Sequence, residues 1–356
     1  MFDIDFIPKN IYYFNSENNQ KYYTKIDVIK SQLHPLSFSC VFDDNKWNEY
    51  DWETEPSESF DDLLNERCKQ LRDKHKKLTL YFSGGADSET MLRAFYESNT
   101  FVDEVVLTVL EINKENPLKD NILAIEKMQF YASLMNKTKF IINKIDEEFL
   151  FKVLESKEWF DSSFNWSIGN IRRFTLPVLR ELGHYNHDTS VTGHIVGEIK
   201  PKIIIRNGKF FSKMVQKIST TQFGEWFYCS TDLPKLHIKQ CHLVKNSLKG
   251  KIPEDKIIFL HENGEYAKDV IKSCRYSYNA SFQPLKAMGL GLDLSNEENT
   301  EDSMVYKHIK NNNYYLYEIY KSKVKDILTE IGNKSIDRKT LDLYHSGYSE
   351  EYYLGE

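Results

Sequence analysis

The chain is poor in glycine (15) and poorer in proline (9) for its 356 residues, which excludes collagen-like repeats and proline-rich linkers. It lacks an excess of basic charge. Its 47 Lys and Arg against 53 Asp and Glu leave a formal net charge of −6, so a nucleic-acid-coating protein is not expected, although a local basic patch stays open. No apolar run approaches the length of a membrane span, so no membrane partner is expected. Met1-Phe2-Asp3-Ile4-Asp5 has no basic n-region, which argues against a secretory signal. Cysteine is scarce and odd in number. Residues 40, 68, 229, 241 and 274 form no CxxC pair, which suits reduced thiols and a cytoplasmic protein better than a disulfide framework.

Aromatic residues are plentiful, with 22 Phe and 22 Tyr, enough to build an extensive core. The richness in Lys, Asn, Ile and Tyr suggests an AT-rich genome such as a phage's. Short strands are expected at Ile11-Tyr12-Tyr13-Phe14 and at 25–29, followed by an irregular, acidic and aromatic connection over 43–59 with Trp47 and Trp52. Ser59 caps a helix expected over 60–76, whose apolar positions Phe60, Leu63, Leu64, Cys68 and Leu71 recur at helical spacing. From there apolar strands alternate with helical patterns. Strands are expected at 78–82, 102–110, 140–142 and 189–193, and helices at 89–96, 120–135, 149–154 and 172–182. That alternation predicts an α/β fold with a doubly wound parallel sheet. A hairpin around Asn207-Gly208 and helices at 230–250, 264–274 and 314–331 follow, then a polar, Tyr-rich tail.

The segment that bears chemistry is Ser83-Gly84-Gly85-Ala86-Asp87-Ser88, directly after a strand and before a helix. Paired glycines permit positive φ and close approach of backbone N–H groups to an anion, and the helix N-terminus adds partial positive charge. Ser83 and Ser88 add hydroxyls. Asp87 would repel a phosphate unless Mg²⁺ lies between them. With no Gly-Lys-Ser/Thr, this is not a Walker loop.

SGGADS resembles the SGGxDS signature of the PP-loop (N-type) ATP pyrophosphatases, which include asparagine, GMP, NAD and lysidine synthetases and tRNA thiolases. The resemblance covers about residues 60–200. It implies an adenine-nucleotide α-hydrolase-like (HUP-type) fold and cleavage of ATP to AMP and pyrophosphate, with Mg²⁺. It implies that Ser83, Gly84, Gly85 and Ser88 hold pyrophosphate, that Asp87 binds the metal, and that Thr108, in Leu107-Thr108-Val109, flanks adenine. Thr192-Gly193-His194-Ile195-Val196-Gly197-Glu198 resembles both the asparagine-type SGEGADE and the lysidine-type TGHHADD segments. Gly193 would approach the adenylate, His194 is a catalytic candidate, and Glu198 is a second metal ligand. Gly197 departs from both patterns, which have Asp there. Lys200 is the candidate cation for the departing pyrophosphate. Arg172 or Arg173 is a candidate for phosphate or carboxylate.

The expected organisation is an extension over 1–58, a PP-loop domain over 59–205, and a mainly helical, substrate-selecting region over 206–356, including Ser281-Phe282-Gln283-Pro284-Leu285-Lys286. Cys229, His237, Cys241 and His242 fit no zinc spacing and are expected to be packing residues. Three functions stand. One is an asparagine-synthetase-like ligase that activates a small-molecule carboxylate or carbonyl oxygen for ammonia or an amine from solution or a separate amidotransferase. The second is an enzyme modifying a nucleobase in tRNA, DNA or a base precursor. The third is a non-catalytic nucleotide-binding module, motivated by Gly197.

Overall fold

A computed structural model describes residues 11–22, 28, 31, 33, 37–42, 44–112, 119–155, 191–197, 202–206, 208–216, 225–248, 308–330 and 347–356. It is an α/β structure centred on a five-stranded, all-parallel sheet.

The first strands are short. β1 (Ile11–Asn15), β2 (Gln20–Tyr22) and β3 (Phe38–Phe42) pair antiparallel in the order β2-β1-β3. Of the strand expected over 25–29, only Val28 is described, and it is helical and buried. Within the connection read as irregular, Asp44–Trp47 forms a short helix, α1.

Helix α2 (Phe60–Lys74) starts where expected, because the Ser59 hydroxyl accepts the N–H of Asp62 and satisfies one of the orphan donors of the first turn. Its buried stripe is Phe60, Leu63, Leu64, Cys68 and Leu71, with Arg67 among them. Strand β4 (Lys77–Phe82), helix α3 (Ala86–Glu97), strand β5 (Glu104–Leu110), helix α4 (Lys119–Leu134), strand β6 (Lys139–Ile145) and helix α5 (Glu147–Glu155) then alternate.

Strand β7 (Thr192–Val196) lies three residues further along the chain than the run 189–193 suggested. The apolar pair Ile195-Val196, rather than the glycine, marks its end inside the sheet. The hairpin of β8 (Lys202–Arg206) and β9 (Lys209–Lys213) forms as expected, with Gly208 at φ 70. After it come β10 (Val215–Gln216), β11 (Glu225–Trp226), helix α6 (Pro234–Leu248), helix α7 (Tyr314–Glu330), β12 (Gly347–Tyr348) and β13 (Tyr352–Gly355).

The parallel sheet runs β11-β7-β4-β5-β6. The chain therefore winds outward from β4 to β6 on one side and resumes at β7 on the other. Strand order reverses between β4 and β7, and in open α/β sheets the crevice beyond the carboxyl ends at such a point is where ligands bind. Leu78, Leu80, Phe82, Val105, Leu107, Val109 and Ile195 lie in one core with residues of α2, α3 and α4. The intervening positions differ. Thr79, Glu104 and His194 are buried polar residues, although a sheet buried on both faces is ordinarily apolar throughout.

The described residues beyond 206 combine helices α6 and α7 with strands β9 to β13. The boundary at 205 divides a hairpin, and β11, beyond it, is a strand of the parallel sheet. Backbone pairing is the reason: β13 adds to β9, and β11 adds to β7, so neither segment forms a separate layer. A second core joins α1, the hairpin, α6 and β13 through Trp47, Ile203, Ile205, Phe210, Cys241 and Leu354. Trp52 stacks on Tyr352 at 4.1 Å, and both Trp47 and Trp52 are buried in this core. Among the described residues no helix is long and apolar enough to cross a membrane.

Candidate functional site

The loop Ser83–Ser88 leaves the carboxyl end of β4 at the point where strand order reverses. Gly84 has φ +75, a left-handed conformation that costs a residue with a Cβ roughly 1–2 kcal/mol. Space alone also demands glycine, because a Cβ there would lie 2.4 Å from the Cβ of Ala124 and 2.6 Å from its Cα. Gly85 is the N-cap of α3 and supplies no side-chain cap. The first-turn N–H groups of that helix have no intrahelical acceptor, so they face the space beyond the loop.

Hydroxyls brace this turn from within. The Ser88 Oγ accepts the Ser83 N–H at 3.1 Å and donates to the Gly85 carbonyl at 3.0 Å. The Ser83 and Ser88 hydroxyls lie 3.1 Å apart, and Ser83 also accepts the Gly85 N–H at 3.3 Å. Ser88 is buried, while Ser83 and Gly85 are exposed. Ser88 therefore shapes the loop, and Ser83 and the backbone amides present it.

Asp87 is half-buried in the first turn of α3. The buried Tyr228 hydroxyl donates to its carbonyl at 2.7 Å, which ties the start of α3 to the segment after β11. Burial pushes the Tyr228 phenol well above its ordinary pKa, so it stays a neutral donor. Thr108 sits in β5 one residue beyond the Phe82–Leu107 pair, level with Ser83, and is the one partly exposed residue of that strand. The structure thus gathers Ser83, Gly84, Gly85, Asp87, Ser88 and Thr108 at one edge of the sheet.

Gly193 is not at that edge. Its register partner is Leu78, five residues before Ser83, or roughly 16 Å along the strand. Its missing side chain makes room for the His75 ring, since a Cβ would lie 2.6 Å from His75 Cδ2. The adenylate contact expected of Gly193 does not fit this position. His194 pairs with Thr79, is 3 % exposed, and places Nδ1 3.1 Å from the Tyr81 hydroxyl. It lies in the sheet interior below the loop, not at its mouth. Both differences follow from the three-residue shift of β7. Glu198, Lys200, Arg172, Arg173 and the segment 281–286 lie outside the described residues.

The shift brings Gly197 to the loop edge instead. It follows Val196, and a Cβ there would meet Met91 Cε of α3 at 2.9 Å and Tyr228 at 3.5 Å. Where the resemblance expects a carboxylate, Gly197 instead lets β7 end closely against Met91 of α3. Lys127 was missed too. Its Nζ reaches the Gly84 carbonyl at 3.0 Å and Glu89 Oε2 at 2.6 Å. The signal was present in part: Lys127 lies three residues after Ala124 on α4, the spacing of one helix face.

Among the described residues no group of three or more His, Cys, Asp or Glu is placed to hold a metal ion. The members of the discounted zinc set are engaged in packing contacts. Cys241 packs against the Ser212 hydroxyl, Cys229 against Met214 Sδ, and His242 Nε2 against the Trp52 carbonyl. Burial pushes the Cys241 thiol up to about 12, so it is no thiolate ligand. A Mg²⁺ ion is a different case, since it commonly takes one or two carboxylates with substrate phosphates completing its shell. Asp87, in the first turn of α3 two residues after the exposed Gly85, fits that role.

The chain matches no protein-family model and no curated protein. The reading of the site therefore rests on its own geometry and on the SGGADS resemblance.

Proposed function

We propose that the chain is an ATP pyrophosphatase of the PP-loop kind, with a HUP-type nucleotide-binding core, that activates an acceptor oxygen by adenylation. One observation carries the reading. A left-handed Gly84, a glycine N-cap without a side-chain cap, two serines and Asp87 all sit at the carboxyl edge of a parallel sheet, where strand order reverses. That arrangement suits a pyrophosphate, because backbone amides and a helix N-terminus hold negative charge without a net positive surface.

ATP is the substrate. The loop amides and Ser83 bind its β and γ phosphates, and Thr108, level with the loop, borders the adenosine half. Asp87 would hold Mg²⁺, which when bound neutralises charge on the departing pyrophosphate. An acceptor carboxylate or carbonyl oxygen attacks the α-phosphorus, and the bond from that phosphorus to the bridging oxygen breaks. Ammonia or an amine then displaces AMP, giving an amide-forming ligase. Lys200 and Glu198 remain the candidates for leaving-group cation and second metal carboxylate. The chain contributes mainly positioning and fixed dipoles, the usual sources of rate in such transfers. The buried His194, held against Tyr81, lies away from the loop mouth, which supports the amide-ligase reading over a nucleobase acceptor suggested by the resemblance of Thr192-Gly193-His194 to the lysidine-type segment.

The test is product identity. The full chain, given ATP, Mg²⁺ and a metabolite extract, is expected to release AMP and pyrophosphate, and Asp87→Ala to abolish ATP–pyrophosphate exchange. Release of ADP and phosphate, or exchange undiminished in the variant, overturns the reading.

A further inference from the structure

The peptide between Gly84 and Gly85 is the weak point of the loop. Flipping it changes ψ of the first residue and φ of the second, and both changes are cheap when both residues are glycine. The bond is trans, so its N–H and C=O point in opposite directions. A flip would replace the Gly85 N–H, which donates to Ser83 Oγ at 3.3 Å, with a carbonyl oxygen on the Ser83 side of the loop, where the phosphates would sit. A loop that binds phosphate through its amides therefore needs something to hold that carbonyl away.

We infer that Lys127 is a positioning residue that performs this task, clasping the Gly84 carbonyl on the α4 side of the loop. Its Nζ donates to that oxygen at 3.0 Å. The same ammonium pairs with Glu89 Oε2 at 2.6 Å, and Glu89 lies in the first turn of α3. The lysine thus joins α4, the loop and α3 at one point. Ala124, three residues earlier on α4, forms the floor under Gly84. One helix supplies both the steric support and the charged clasp. The Lys127 side chain is 40 % exposed and that of Glu89 27 %, and ion pairs so exposed contribute little to folding. The arrangement is better explained by what it does to the loop.

This inference rests on the nucleotide reading above, and its test separates the two. Affinities of the full chain for ATP·Mg²⁺ and for pyrophosphate·Mg²⁺ are measured by calorimetry, with thermal melting as a check on folding. Lys127→Met is expected to weaken both ligands about tenfold, the loss of roughly one charge-assisted hydrogen bond, with melting almost unchanged. Lys127→Arg is expected to restore affinity to within about threefold, since the guanidinium can donate to the same carbonyl.

A second background isolates the flip itself. Gly85 has φ −74, which alanine adopts freely, and a Cβ there meets only Ser83 Oγ, at 3.3 Å. Ala at 85 resists the positive φ that a flipped peptide needs. In the Gly85→Ala background Lys127→Met is therefore expected to cost less than about threefold. A full tenfold loss there means that the lysine acts only as a charge, and the clasp is wrong. Unchanged affinity of Lys127→Met in the native loop also overturns it. If the unsubstituted chain binds neither ligand, it is the nucleotide reading that fails.

Discussion

The loop after β4 and the seam between α2 and β11 use polar groups in opposite ways. In the loop, glycines and a bare helix N-terminus leave backbone donors for a ligand to satisfy. In the seam, protein groups satisfy one another. Arg67 is fully buried and donates to the carbonyls of Trp226 at 2.8 Å and Phe227 at 3.2 Å. It also pairs with Glu225 at 3.4 Å. Lys74 and His75 each reach Glu225 at 2.8 Å, and Lys74 reaches Asp232 at 2.8 Å. Burial alone would raise the Glu225 carboxyl. Hydrogen bonds from His75 and Lys74, with the Lys74 and Arg67 charges, overcome it and hold the pKa at about 2. The seam fastens β11 to the sheet, and the residues just after β11 include Tyr228, which steadies α3 beneath the loop. Closed polar networks build the scaffold here, and an open one builds the site.

The contrast can be broken most strongly at Arg67. Arg67→Ala removes a buried guanidinium that serves the Trp226 and Phe227 carbonyls as well as the half-buried Glu225, and is expected to cost about 3–5 kcal/mol, read as a fall in denaturant midpoint. A loss below about 1 kcal/mol would mean that the seam is not a scaffold.

The pH profile tests the same seam without mutation. A carboxylate with a depressed folded pKa contributes stability above its unfolded value, and that contribution fades as pH falls towards the folded value. Glu225 should thus lend roughly 3 kcal/mol at neutral pH, lost between about pH 4.5 and 2. Glu225→Gln should flatten that part of the curve, and a curve of unchanged slope would contradict the assignment.

At the loop, Gly84→Ala should show the reverse balance. Strain at positive φ costs about 1–2 kcal/mol of stability, while ATP·Mg²⁺ affinity falls about a hundredfold as the loop is pushed off Ala124. Retained affinity would separate this turn from nucleotide binding.

The smallest effect compares two glycines of one strand neighbourhood. Gly193→Ala meets the His75 ring, which Glu225 pins, and should cost about 1–3 kcal/mol. Gly197→Ala meets the flexible tip of Met91 and should cost under about 1 kcal/mol while reducing ATP affinity more than Gly193→Ala does. The opposite ranking in melting and affinity would return Gly193 to the site.

Much of this was legible along the chain because it is local. The Ser59 cap, the stripe from Phe60 to Leu71 and the apolar-rich run of β5 follow from composition, periodicity and capping chemistry. The loop was legible because Gly-Gly between a strand and a helix is itself a local conformational demand. Strand β7 was misplaced because its true end, Ile195-Val196, and the glycine before it both resemble strand termini when read alone. Only pairing of Leu80 with Ile195 decides between them. Strands β11 and β13 are too short to read, since two to four residues carry no period, and they form only by adding to β7 and β9.

The amino-acid order by itself determined the alternation of strands and helices and the Gly-Gly turn of residues 83–88, both set within a few residues of backbone. Tertiary structure alone decided which glycine meets the loop, which lysine holds its carbonyl, and which carboxylate is spent on the scaffold. Those choices rest on register and on contacts between residues 43 to 160 positions apart, such as Lys127 with Gly84 and Arg67 with Phe227. Such distances lie beyond any local pattern.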